Sequence, residues 1–508
     1  MRKNKFLTAV ILPAVLLVFS LTSCTGIFDI NQNLTGLGPL GENQFYAINF
    51  ETNRFYIVDA EKLAVGETVV IWAEIGSGVT PEMAEEIAYE FDNIIRPKVV
   101  DAFSMRDFPV DYLNNGAVSR REFSDILEFA NWLAGGDDGK LTILLLDIQD
   151  GFEGGAYVAG YFFSGDFLEQ GRIPGGGTPR YSNGRDMIYV DTNPGLQPHL
   201  WKQTMATLAH ELQHLINFAT STLVRRTAGG GMRHMDTWID EGLSLWTEFL
   251  YFDHFGYRAG RCRWFIEDPA GTIARGNNFF VWGNNTGNPL SILDEYATAY
   301  LFFRWLYLQA ANRGMGSEIF FRIITSPYHD YRAVTSVARE INEDWGYWEN
   351  LLRTWLAANS FPGNPHFGYI GDSHLISNLR ITPLQFVQMD LLPGEGVYSV
   401  LHNDFVPPSG SGRNIRYAGL SWLHEIDTSL PYAGEMLLTF NANPSRIGMR
   451  ERGFLTGLPA ASASRVLSDG VQTDVFKGPH VIDARDIWGR NQDADLQGFL
   501  PEIRMIDR

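Results

Sequence analysis

The chain has 508 residues, of which 45% are hydrophobic and 13% aromatic, ample apolar material for large buried cores. Its formal net charge of −19 makes nucleic acid a poor partner, because a polyanion would meet a repelling field. Only Cys24 and Cys262 are present, which excludes a scaffold held together by several disulfides.

Arg2, Lys3 and Lys5 precede an apolar run from Phe6 to Leu21 that is broken by Pro13. The run is short for a membrane span and fits the apolar core of a signal peptide. Leu21-Thr-Ser-Cys24 resembles a bacterial lipobox, which implies cleavage before Cys24 and lipid on its sulfur; a plain secretory leader with an incidental cysteine is the alternative. Several acyl chains on Cys24 would anchor the protein stably, since each buried methylene adds about 0.8 kcal/mol. With Cys24 lipidated no internal disulfide remains, and Cys262 reads as a buried small side chain. The expected address is the cell envelope, at the outer membrane or cell surface. Thr25, where an aspartate would be the retention signal, resembles the pattern for the outer membrane. Residues 24–44 are rich in Gly and Asn and read as a lipid-anchored tether.

From residue 45 the pattern is that of an α/β half. Thr68-Val-Val-Ile-Trp72 reads as a strand, and Thr80-Pro81 caps a helix with Met83, Ile87, Phe91 and Ile94 on one face. Ser119-Arg-Arg-Glu122 reads as a capping box opening a second helix, whose apolar face runs through Phe123, Ile126, Leu127 and Ala130. Leu141–Ile148 and Met187–Asp191 are apolar strand signals. Tyr157–Phe163 is either an ordinary buried strand or an edge strand able to pair with an extended peptide.

The next helix carries the chemistry. Trp201, Met205, Leu208, Leu212, Leu215 and Ala219 form one apolar stripe at alternating spacings of three and four. His210-Glu-Leu-Gln-His214 falls off that stripe, so the helix is expected to pack on one side and present the motif to a cleft on another. Histidines four apart lie one above the other and can bind one metal ion; the adjacent Glu211 can take a proton from water on that metal. A solvated helix with two ordinary histidines is the plain alternative, and the continuous stripe argues against it.

Catalytic zinc usually takes three protein ligands. The metzincin continuation is absent, with Asn217 and Thr220 where its glycine and third histidine would stand. Downstream, Trp238-Ile-Asp-Glu-Gly-Leu-Ser244 opens another helical pattern and resembles the N-E-G-x-[AS] segment of gluzincins, whose glutamate is the third ligand. By that match the ligand is Glu241, with Asp240 in place of the usual asparagine; His234, just after Gly229-Gly-Gly231, is the rival. Together, Thr207–Phe218 and Trp238–Ser244 resemble the hyicolysin-type bacterial zinc metallopeptidases, as do Lys140–Ile148, Tyr157–Tyr161, Met187–Pro194 and Tyr296–Trp305. The resemblance covers about residues 45–360.

It implies an α+β, zincin-like (gluzincin) catalytic domain, with an α/β N-terminal half, a helical C-terminal half and the cleft between them. It also implies one Zn2+ per chain held by His210, His214 and Glu241, with Glu211 as the catalytic proton carrier. Tyr296, on the helical run after Pro289, resembles the tyrosine that steadies the oxyanion, ahead of Tyr300; both also read as members of a core aromatic stripe with Phe303 and Tyr307. Where the thermolysin branch keeps an aspartate four residues after its third ligand, this chain has Leu245, so support for a histidine must come from elsewhere; Glu248 shares the face of Glu241 and is a candidate. No G-x-M-E-N segment is present, which favours an endopeptidase over an aminopeptidase.

The helical pattern continues to about residue 360, ending in Trp348, Leu351, Leu352, Trp355 and Leu356. Beyond it, Val397–Leu401, Tyr417–Trp422 and Met436–Phe440 alternate with Pro/Gly turns and suggest a β-rich accessory domain of unknown function. The expected layout is a signal peptide over 1–23, a tether over 24–44, a metallopeptidase domain over 45–362 and the β-rich domain over 363–508. The expected partners are protein or peptide substrates and, through Cys24, a membrane. Asp137-Asp-Gly139 is too slight a pattern to assign calcium. A surface lipoprotein that keeps the zincin fold as a binding module or adhesin is the alternative from another class.

Overall fold

A computed structural model describes residues 18–19, 36–104, 123–136, 138–153, 157–174, 178–224, 233–251, 260–267, 280, 291–385, 388–402, 405–421, 425–445 and 451–454. Cys24, most of the tether, the Ser119–Glu122 segment and the glycines at 229–231 lie outside them. The fold is α+β. Six strands form the main sheet: β1 (Gln44–Asn49), β2 (Arg54–Val65), β3 (Val69–Glu74), β4 (Leu141–Leu146), β5 (Gly160–Phe162) and β6 (Met187–Asp191). Their spatial order is β1-β2-β3-β4-β6-β5. β3, β4 and β6 run parallel, while β5 runs antiparallel to β6 and forms one edge. β4 and β6 are buried at every position, as a central parallel strand covered on both faces requires.

Helix α1 (Pro81–Glu90) is capped by Thr80, whose hydroxyl accepts from Met83 N at 3.3 Å. A single π-helical turn, Phe91–Ile95, joins it to α2 (Arg96–Phe103). That extra residue per turn rotates the face, so Ile95 rather than Ile94 is the fully buried residue after Phe91. Helix α3 (Ile126–Leu133) starts later than the Ser119–Glu122 pattern suggests. Its cap is Asp125, whose carboxylate accepts from Leu127 N and Glu128 N at 2.8 and 3.0 Å.

On the other face of the sheet, Asp166 is fully enclosed. It accepts from Asn183 N (2.7 Å), Asn183 Nδ2 (2.9 Å) and Tyr189 Oη (2.7 Å), and Tyr189 stacks on Tyr161 of β5 at 4.1 Å. Burial outweighs these bonds and pushes the carboxyl up to about 7. The unfolded chain titrates an aspartate near ~3.9, so folding favours the protonated form. This contribution is fully present below that unfolded value and is lost as pH rises through about 7. Asp166→Asn should therefore flatten the decline in stability between about pH 4 and pH 7. Urea unfolding across that range checks it, and an unchanged slope would count against the assignment.

The helical half follows: α4 (Trp201–Val224), α5 (Thr237–Tyr251), α6 (Gly260–Glu267), α7 (Ser291–Ala311), α8 (Glu318–Ile324), α9 (Tyr331–Ile341) and α10 (Trp348–Ser360). A short α11 (Ser373–Asn378) leads to a four-stranded antiparallel sheet of β7 (Gly396–Val400), β8 (Ile415–Leu420), β9 (Ile426–Asp427) and β10 (Met436–Asn441), in the order β7-β10-β8-β9. Alternation decides its faces. Tyr398, Ala418, Leu420, Leu438 and Phe440 join the core of the helical half, whereas Val397, Ile415, Tyr417 and Leu437 form a small core of their own with Leu391 and Phe405. The first face meets α10, where Tyr398 Oη donates to Leu356 O at 2.7 Å. No helix among the described residues is long and apolar enough to cross a membrane.

Candidate metal centre

Helix α4 begins just after β6, and the turn between them is braced. The Asp191 carboxylate accepts from Ile148 N (3.1 Å) and Gly195 N (3.0 Å), and a Cβ at Gly195 would stand 2.2 Å from Asp191 O. The sequence pattern suggests that α4 shows its motif to an open flank, but the structure encloses it. His210 and Glu211 are 0% exposed and His214 2%, as deeply buried as Leu208 or Leu212 on the stripe. The reason is that α4 is covered on several sides, by the sheet, α2, α3 and α5.

Helix α5 brings Glu241 against the two histidines. Glu241 Oε2 lies 3.5 Å from His210 Nε2 and 3.7 Å from His214 Nε2, and the two imidazole centroids are 4.9 Å apart. One donor atom from each residue falls within 4.8 Å of the others, and this is the group among the described residues able to hold a metal ion. His234 stands outside that group, its ring stacked on Phe218 at 5.9 Å. Two features lock α5 to its neighbours. Ser244 Oγ donates to Gln213 Oε1 of α4 at 2.5 Å. Gly242 faces α7, where a Cβ would stand 2.2 Å from the Phe303 ring. The glycine after Glu241 is thus set by helix–helix approach.

Each imidazole turns its other nitrogen to a carboxylate. His210 Nδ1 is 2.8 Å from Glu248 Oε1, and His214 Nδ1 is 3.0 Å from Asp240 Oδ1, which also receives the Asn217 amide. Glu248, two turns beyond Glu241, takes the place that Leu245 leaves vacant; Leu245 itself is core. Asp240 and Asn217 were not legible as partners. The available signal was that Asn217 lies three residues after His214, on the same side of α4.

The electrostatics follow from enclosure. Burial pushes the Glu241 carboxyl up, but the adjoining His210 and His214 outweigh it and hold it at about 2. Burial pushes both imidazoles down, and their carboxylate neighbours reverse that: Glu241 and Glu248 raise His210, while Asp240 and Glu241 raise His214 well above its usual value. Glu211 is different. Its two carboxylate oxygens have no hydrogen-bond partner among the described residues, and burial lifts it to about 7 against the pull of the histidines.

Strand β5 crosses α4 at this point. A Cβ on Gly160 would lie 2.8 Å from Tyr189 O, 3.0 Å from Thr207 Cγ2 and 3.6 Å from Glu211 Cγ, so glycine lets the edge strand approach the motif. Tyr296 and Tyr300 are both buried on α7, which packs along α5. Burial, foremost, raises Tyr300 well above its usual range, and the acidic groups near it include Glu248.

A mixed sheet under a helix that carries two histidines and a glutamate, with a second glutamate from the next helix, has the features of a metal-dependent protease. Comparison with known proteins supports that class. The chain is 29% identical over 383 residues, 73% of its own length and 75% of the relative's, to the neutral metalloprotease ShpI of Staphylococcus hyicus. No protein-family model matches the chain.

Proposed function

We propose that the chain is a zinc-dependent endopeptidase of the hyicolysin type, carried to the cell surface as a lipoprotein on Cys24. The enclosed group of His210, His214 and Glu241, with Glu211 beside it, carries this reading. Two imidazoles and a carboxylate are a zinc donor set. Ligands at 2.0–2.1 Å in a tetrahedron stand about 3.4 Å apart, close to the 3.5 and 3.7 Å between the histidine nitrogens and Glu241. The Nε2 of His214 and the carboxylate of Glu211 are buried without hydrogen bonds among the described residues, an arrangement that is costly unless a cation and water satisfy them.

When bound there, zinc supplies Lewis-acid polarisation of the scissile carbonyl and acidifies water. His210, His214 and Glu241 hold it. Glu248 and Asp240 fix the imidazoles so that Nε2 points inward. Glu211, which is not a ligand, takes the proton of the attacking water on a carboxylate oxygen and delivers it to the leaving amine nitrogen. Tyr296 is the candidate donor to the oxyanion. An extended substrate pairs with β5, whose outer side is joined to no strand among the described residues.

The purified protein should contain about one zinc per chain, cut an unfolded protein at internal bonds, and lose that activity on chelation. Zinc without cleavage would favour the binding-module reading, and absence of zinc would overturn the site. Cys24→Ser should move the protein from the membrane to the soluble fraction. Glu248→Ala and Asp240→Ala should each weaken zinc binding about 10–100-fold in competition with a chromogenic chelator. Unchanged affinity in both would show that these acids do not orient the histidines.

A further inference from the structure

A concavity of about 320 Å³ lies between α10 and the C-terminal sheet, lined by none of the residues of the metal centre. Its lining includes Glu349 and Arg353 of α10, Arg416 and Tyr417 of β8, and Pro407, Tyr432 and Phe440. Two of its three charges neutralise each other, because Arg416 Nε donates to Glu349 Oε2 at 2.9 Å. Arg353 carries the remaining positive charge. Its Nε is enclosed and has no hydrogen-bond partner among the described residues. Burial works against that charge, and Glu349 and Asp344 offset the effect only in part. On another wall, Ser411 Oγ and Tyr417 Oη are hydrogen-bonded at 2.6 Å and offer a further polar edge.

We propose that this pocket binds a monoanionic carboxylate carrying an aromatic or aliphatic body, such as the C-terminal residue of a peptide. A net lining charge of one cation matches a monoanion and leaves the second charge of a dianion such as phosphate uncompensated. The planar guanidinium suits a carboxylate, which accepts two parallel N–H bonds. Tyr417, Tyr432 and Pro407 supply the apolar wall. The volume lies at the small end of ligand pockets, about 300–1,000 Å³, so it holds one or two residues rather than an extended chain.

The full chain, both metal-loaded and metal-stripped, can be titrated calorimetrically with N-acetylphenylalanine, its carboxamide and phenylpropionate. At least one acid should bind in both metal states, with the carboxamide at least about tenfold weaker than N-acetylphenylalanine if the pocket takes peptide ends. Binding of N-acetylphenylalanine alone assigns the pocket to peptide ends; binding of phenylpropionate alone assigns it to free organic acids. Arg353→Met should weaken the bound acid by a similar factor, and Arg353→Lys, which keeps the charge but loses the Nε donor, should fall between. Equal binding of N-acetylphenylalanine and carboxamide, loss of acid binding on metal removal, undiminished binding by Arg353→Met, or no binding of either acid at millimolar concentration overturns the proposal. The comparison of acid with amide uses the unaltered protein, so it stands whether or not the variants fold.

Discussion

Glu211→Gln should lower kcat on an unfolded protein substrate by about 10²–10⁴-fold while zinc content and thermal stability stay close to those of the parent. The side chain is fully enclosed, and its oxygens have no hydrogen-bond partner among the described residues, so little of the fold depends on its charge. Glutamine keeps the shape, but its amide is too weakly basic to take a proton from water. His210, His214 and Glu241 remain in place to hold the metal. Assaying turnover beside metal content separates this role from a structural one. A variant that keeps its zinc and retains more than about a third of the parent rate would show that another group moves the proton.

Glu241→Ala should be more damaging, because two losses coincide. It removes one of three donors, so zinc binding should fall far below that of the parent. It also leaves His210 and His214, both raised above their usual values by acidic neighbours, without the carboxylate they share. Breaking a buried ionic group by removing one partner costs about 3–5 kcal/mol, so the metal-free variant should also melt earlier than the metal-free parent. Equilibrium dialysis against zinc and calorimetric melting of both apoproteins measure the two effects. Stoichiometric zinc at the parental affinity would place the third ligand elsewhere, with His234 the first residue to test.

What could be read in advance depended on the range over which each signal acts. Met187–Asp191 and the helix of the H-E-x-x-H motif are legible because hydrophobic periodicity reports burial over a few turns or pleats. Cap positions are less secure. Asp125, not Ser119, starts α3, since a capping pattern describes a possible helix start and tertiary packing selects among them. The open flank expected for His210 and His214 failed for a related reason. One helix's periodicity shows which face is most apolar, but it cannot count how many neighbours will cover the others.

The residue types and spacing of His210, Glu211 and His214 follow from the sequence alone, because residues four apart share a helical face whatever surrounds the helix. Glu241 needed a resemblance to be singled out, since its distance from the histidines depends on how α4 and α5 cross. Only the tertiary structure decided that crossing, with Ser244 against Gln213 tying α5 to α4 and Gly242 against Phe303 seating α5 on α7. It alone paired Glu248 with His210 and Asp240 with His214, and laid the β5 edge across Glu211 at Gly160. Local pattern fixes which atoms a helix can present, whereas the contacts between elements far apart in the chain determine what those atoms meet.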